Sequence, residues 1–185
     1  MKPKKWSDKH IAKLSGVLAI GCIEKRVKYL DIFDIDHLLV LYEDKPPISL
    51  LKNLAAQLSA QGVNTAFVKA GSDLTELHAD CLQRLYSGNE STKLAVIVPN
   101  FESLDAETRN ELLTLATISR QKGIAFLLSG AISQNTQAAA AIAVYAPFGV
   151  LICEQGSSLT YMWGKESIKL TRFSFAGKRR VKNDT

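Results

Sequence analysis

At 185 residues, 46% of them apolar and 22% charged, the chain has the size and composition of one globular domain, large enough to bury a core without staples or metals. Three cysteines, Cys22, Cys81 and Cys153, are odd in number, far apart and without a C-x-x-C pair, which argues against a disulfide framework or a zinc knuckle and fits a reducing cytoplasm. The net charge of +5 is concentrated at the ends: residues 1–30 carry eight Lys/Arg against two acids and residues 166–185 six against two, while 31–165 carry nine against fourteen.

The N-terminus lacks the layout of a secretory signal, because Lys13 interrupts the apolar run Ile11 to Ile23 and no small-residue cleavage site stands out. Ser7 and Asp8 can instead cap a helix in which Ile11, Leu14, Leu18, Ile20, Ile23, Val27 and Leu30 recur at three and four residues. The spacing predicts an amphipathic opening helix. Gly16 and Gly21 each weaken it by up to about 1 kcal/mol relative to alanine, so it depends on packing against the domain. Asp31 to His37, DIFDIDH, then sets three carboxylates beside a histidine. A hard-metal loop would add a glycine turn and further carboxylates, and His10 and His78 have no ligand-like spacing to His37. The segment reads as a polar turn, and no metal is expected.

His37 to Leu58, HLLVLYEDKPPISLLKNLAAQL, runs strand, short loop, helix without wasted residues. That is the local architecture of a phosphate-binding loop, in which backbone amides cradle phosphates and a helix starts on a Lys-Ser/Thr pair. Laid on G-x-x-x-x-G-K-S/T, Tyr42 falls at the first glycine, Pro47 at the second, Ile48 at the lysine and Ser49 at the hydroxyl. Only Ser49 matches. Pro46 and Pro47 carry no backbone N–H, Ile48 brings no cation, and Glu43 and Asp44 add repulsion.

Apolar residues at 50, 51, 54, 55 and 58, stopped by Gly62, predict a helix over Ser49 to Gln61. A second strand follows at Asn64 to Lys69, and a helix led by Gly71-Ser72-Asp73 should bury Leu74, Leu77, Cys81, Leu82 and Leu85. Lys93 to Asn100, KLAVIVPN, is the continuous apolar run of a central parallel strand. Pro99 or Asn100 stands where a magnesium-holding aspartate would follow that strand. Glu102 and Asp105 read as carboxylates at the start of the helix Ala106 to Lys122. Ile124 to Gly130 is a fourth strand, in which Ser129 holds the place of a phosphate-sensing polar residue but is expected to cap a turn.

An alanine-rich helix, Gln134 to Tyr145, leads through Pro147 to a fifth strand, Gly149 to Glu154. Ser158 to Trp163 and Ser167 to Phe175 predict a β-hairpin. Gly123 to Cys153 is uncharged but broken by Ser133 to Gln137 and Pro147, so its apolar pieces fall short of the roughly 20 residues of a membrane span.

Five alternations of strand and helix predict a three-layer α/β domain with a mostly parallel five-stranded sheet, an N-terminal helix and a C-terminal β-hairpin. One domain should cover residues 1–175, with 176–185 a basic disordered tail. The order DHLLVLYEDKPPISLLKNLAAQL, KLAVIVPNFESLDAETRNELLTLATISRQKG, IAFLLSGAISQ resembles the core of the AAA+/RecA-like P-loop NTPase superfamily. It looks most like the general-secretion-pathway A and DamX type of ATPase domain, in which an opening helix precedes the P-loop. The resemblance covers about Leu14 to Glu154 and implies the topology. Tyr42, Pro46, Pro47 and Ile48 depart from its phosphate-binding pattern, as do Pro99 and Asn100 from its magnesium-binding one.

Those departures make an inactive, cofactor-free ATPase-like scaffold the expected function: a protein-interaction module in a bacterial envelope, secretion or division assembly, cytoplasmic or peripheral to the inner membrane. The alternative is a RecA-like nucleic-acid accessory protein. Lys2, Lys4, Lys5, Trp6, Lys178, Arg179, Arg180 and Lys182 are the candidate contacts to an anionic partner, whether nucleic acid or membrane surface. Tyr161, Trp163, Phe173 and Phe175 place aromatics at alternate hairpin positions, where they either cover the sheet edge as core or form a partner surface.

Overall fold

In a computed structural model, the described residues are 16–24, 26–35, 37–87, 92–119, 122–132, 149–153, 158–163 and 166–171. The strands are β1 (Val17–Ile23), β2 (Arg26–Asp31), β3 (His37–Tyr42), β4 (Asn64–Phe67), β5 (Leu94–Val98), β6 (Ile124–Ala131), β7 (Gly149–Cys153), β8 (Ser158–Trp163) and β9 (Glu166–Thr171). The helices are α1 (Ile48–Ala60), α2 (Thr75–Ser87) and α3 (Ala106–Ile118), with a 3-10 turn at Phe101–Ser103.

β3, β5 and β6 are nearly continuous apolar runs, the pattern of strands covered on both faces. They are interior neighbours in a nine-stranded sheet of order β2-β1-β9-β8-β7-β3-β6-β5-β4. From β7 to β4 the pairs are parallel; from β7 outward to β2 they are antiparallel. The expected mostly parallel five-stranded sheet is therefore corrected to a mixed one. The β8–β9 hairpin, expected as a C-terminal hairpin beside a five-stranded sheet, pairs with β7 and extends the same sheet, which satisfies the backbone groups along that edge of β7.

The opening helix is also corrected over its described part: Val17 to Asp31 form the β1–β2 hairpin. Two adjacent strands with buried Leu18, Ile20 and Leu30 imitate a three-to-four spacing when read as one run. Sheet pairing overrides the weak helical preference of a segment holding two glycines. Gly21 fits because a Cβ there would lie 2.8 Å from Leu170 Cβ on β9. The capping residues Ser7 and Asp8, the helix Gln134 to Tyr145 and the tail 176–185 lie outside the described residues.

The core has two layers, one on each side of the parallel strands. Leu38, Val40, Leu51, Leu54, Leu58 and Leu127 pack on the α1 side; Leu39, Val96, Leu112, Leu115, Phe126 and Leu128 pack on the α2 and α3 side. Each such side chain contributes about 1.5–3 kcal/mol by leaving water. α1 ends as expected: Gly62 has φ 77°, Gly62 N–H donates to Ser59 O at 3.1 Å and Val63 N–H to Leu58 O at 3.1 Å, the glycine-capped pattern that satisfies the last carbonyls. α2 departs from expectation at its last turn. Arg84 is buried and donates to Asp80 and to the carbonyl of Thr92, while Leu85 is 39% exposed.

The antiparallel part is fastened to α1 by side-chain amides. β1 meets β9 at Cys22 and Thr171. Over Val17 and Ala19 the edge turned away from β2 is satisfied by α1 instead. Val17 N–H donates to Gln61 Oε1 at 2.9 Å and Gln61 Nε2 returns a bond to Val17 O at 2.7 Å. Ala19 N–H donates to Gln57 Oε1 at 2.8 Å and Gln57 Nε2 reaches Ala19 O at 3.2 Å. Two amides four residues apart on a helix thus serve strand residues two apart, each acting as one rung of a ladder.

Gln57 is 1% exposed, so Gln57→Ala leaves the Ala19 N–H and C=O buried without partners. We expect a loss of about 1–3 kcal/mol in urea unfolding, with faster hydrogen exchange at the Ala19 amide. Gln61→Ala, at a half-buried position, should cost less.

Candidate functional site

The site expected at the β3–α1 junction lies at the C-terminal end of the parallel strands, where open α/β sheets form crevices for ligands. Pro47 has φ −80° and ψ 59°, an inverse γ-turn in which Ile48 N–H donates to Pro46 O at 2.8 Å. The two prolines have no N–H and the next amide is already engaged. Ile48 is 41% exposed, and Glu43, Asp44, Lys45 and Ser49 are also exposed. α1 begins with no side-chain cap and no acid in its first turn.

Tyr42, the last residue of β3, turns inward. Its ring is buried and its hydroxyl donates to Asn100 Oδ1 at 3.3 Å. β6 lies between β3 and β5, so this bond spans the central strand. Burial, and secondarily the nearby Glu102 carboxylate, push the Tyr42 pKa above the ordinary tyrosine value. Past the end of β5, Ser103 Oγ donates to Asn100 O at 2.8 Å. Two amides at the end of β6 are also taken: Ala131 N–H donates to Glu102 Oε1 at 3.1 Å and Ile132 N–H to Tyr42 O at 2.6 Å.

Tyr42, Pro46, Pro47, Ile48 and Asn100, all singled out in the sequence, are thus brought to one end of the sheet. Asp105 caps α3 as expected, accepting from Thr108 N–H at 2.8 Å. Glu102 does not: it reaches back to β6, a long-range contact that its place next to a helix start concealed. Ser129 is corrected too. It lies inside β6, fully buried, with a hydroxyl that has no partner among the described residues, rather than capping a turn.

His37 is a buried core residue. Its Nδ1 accepts from Phe126 N–H at 3.3 Å, which leaves Nε2–H to donate to Ala116 O at 2.9 Å. Asp31 accepts from Phe33 N–H at 3.0 Å, closing the turn that precedes β3. Among the described residues no three His, Cys, Asp or Glu side chains converge as metal ligands would.

Tyr161 is 5% exposed and belongs to the α1-side core, which removes it from the candidate partner surface. Trp163 ends β8, with its side chain outside the described residues. Phe173, Phe175, Lys2, Lys4, Lys5, Trp6, Lys178, Arg179, Arg180 and Lys182 also lie outside them. No helix among the described residues is long and apolar enough to cross a membrane.

No family model matches the chain, and no curated protein matches it in sequence. Solved structures do match. ATPases 2 and 3 of EssC from Geobacillus thermodenitrificans superpose with a TM-score of 0.71 at 11% identity, covering 89% of this chain and 42% of that one. The chain has a P-loop ATPase-like fold. The pCW3 conjugation coupling protein TcpA, in its monomer form with ATPγS, gives 0.64 at 15% identity over 93% of this chain and 70% of its own. ATPases 2 and 3 of EccC from Thermomonospora curvata, in complex with a signal sequence peptide, give 0.65 at 11% identity over 88% and 41%. The chain spans less than half the length of the EssC and EccC structures it matches.

A buried tyrosine whose pKa is raised on folding holds its proton after the unfolded chain has lost it. Its contribution is therefore complete below the unfolded value of about 10 and is lost as pH rises through the folded value. We expect the alkaline decline in stability to become shallower in Tyr42→Phe, measured by urea unfolding from neutral to strongly alkaline pH. An unchanged slope would place Tyr42 in contact with water.

Proposed function

We propose that this P-loop ATPase-like domain has a closed nucleotide crevice and acts as a protein-interaction module in a secretion-type assembly. The observation that carries the reading is the bond from Tyr42 to Asn100 across the crevice, above a loop whose prolines and engaged Ile48 amide offer phosphate no donors. A working site combines amides converging on phosphate, a lysine neutralising it and a carboxylate-held magnesium. Ile48 stands at the lysine position and Pro99-Asn100 at the carboxylate position. Ser49 alone does not offset the cost of dehydrating magnesium, which normally gains carboxylate and phosphate ligands together.

The assembly is argued from the neighbours. EccC is a type VII secretion ATPase, and one EccC structure holds a signal sequence peptide, so in that protein the ATPase domains present a polypeptide-binding surface. On this reading the present domain likewise offers a polypeptide partner its surface rather than a nucleotide site. The general-secretion-pathway A and DamX likeness depended in part on an opening helix, and the β1–β2 hairpin occupies the later part of that segment.

Calorimetric titration of the purified chain with ATP and magnesium should be flat, and NTPase activity should stay at background. A micromolar Kd that disappears on substitution within Glu43 to Ser49 would return the protein to the nucleotide-binding enzymes.

A further inference from the structure

We infer that the crevice at the C-terminal ends of β3, β6 and β5 is a self-occupied binding site, with the Tyr42 phenol as internal ligand and an uncharged, hydroxylated aromatic ring as the ligand class it fits. The inference rests on the reading above in one respect, that phosphate is not what the crevice holds.

The geometry supplies the site. Tyr42 is level with Ala131 on β6 and with Cys153 on β7, and its hydroxyl reaches past β6 to Asn100. The ring therefore lies across the central strand rather than along it. Ser129 is level with Val40, two positions back on the same face of β6. Its hydroxyl, without a partner among the described residues, lies on the sheet face that carries Val40 and Tyr42. Once that ring leaves, the crevice presents an acceptor at Asn100 and a second hydroxyl at Ser129, set in the apolar layer of Val40 and Leu51.

The electrostatics decide the class of ligand. The amides of Ile48, Ala131 and Ile132 already donate within the protein, and Pro46 and Pro47 have none. Glu102 is close enough to raise the Tyr42 pKa. An anion placed there would meet a carboxylate and no free backbone amide from these positions, leaving only the Ser129 hydroxyl and the Asn100 side-chain amide to offset its desolvation. A neutral ring pays no such cost, and one hydroxyl satisfies Asn100.

Replacing Tyr42 by Gly in the full chain removes the plug, and p-cresol, which reproduces the lost side chain, tests the vacancy. The expected result is a saturable rise in the Tm of Tyr42→Gly with p-cresol, absent in the native chain, and binding about tenfold tighter than toluene because toluene leaves Asn100 unpaired. A folded Tyr42→Gly whose Tm ignores p-cresol, or responds equally to toluene, overturns the inference. Should Tyr42→Gly not fold, Tyr42→Phe gives a second readout. Loss of the hydroxyl must shift the Asn100 side-chain amide resonances, and unchanged resonances overturn the inference as well. Neither measurement involves nucleotide, so ATP binding to the native chain would sink the preceding reading separately.

Discussion

The constraint on which the structure depends is the placement of β3, which is paired in parallel on both edges and covered by core on both faces. A strand with no solvent face can hold polar groups only if each finds a partner, and His37 at its start does so through both ring nitrogens. Parallel neighbours also require crossovers rather than hairpins, which sends α1 from the end of β3 to the distant edge strand β4. Insertion of β6 between β3 and β5 then brings Tyr42, Asn100 and Glu102 to the same end of the sheet. The crevice is a consequence of strand order before it is a consequence of any side chain.

The second half of the architecture answers a problem the first half creates. β7 would be an open edge, and the antiparallel strands β8, β9, β1 and β2 close it in turn. β1 does not stay in register with β9 along its length; at Val17 and Ala19 the glutamine amides of α1 replace a strand. A side-chain amide carries N–H donors beside a carbonyl acceptor, much as a peptide group carries one of each, so the N–H and C=O of both Val17 and Ala19 keep partners. It also ties the hairpin to the helix that starts at the crevice, giving a direct mechanical link between the sheet's antiparallel end and its candidate site.

The parallel strands were legible because their apolar runs are bounded by turn signals: KLAVIVPN and IAFLLSG fall within a residue or two of β5 and β6. The β1–β2 hairpin was not, because VLAIGCI is buried over Leu18 to Gly21 on both faces and loses the alternation that marks a half-exposed strand. At the crevice, the sequence identified the departures at Tyr42, Pro47, Ile48 and Asn100 one position at a time. It could not reveal that Tyr42 and Asn100 bond to each other, nor that Glu102 serves Ala131, because those partners are separated by 58 and 29 residues. Gln57 and Gln61 carried no signal at all; polar residues at helix spacing read as a solvated face.

Phosphate-binding crevices hold backbone donors ready for the ligand, and three amides at this end of the sheet are engaged within the protein instead. Ile48 N–H, Ala131 N–H and Ile132 N–H each have an internal acceptor, so a phosphate using them must first break bonds of comparable worth. An exchange of one hydrogen bond for another contributes little net free energy, while Glu43, Asp44 and Glu102 still oppose an incoming anion. These internal bonds also stabilise the end of the sheet where functional sites usually carry strain. Under the function proposed above, the Tyr42–Asn100 bond and the engaged amides serve the structure of this end of the sheet.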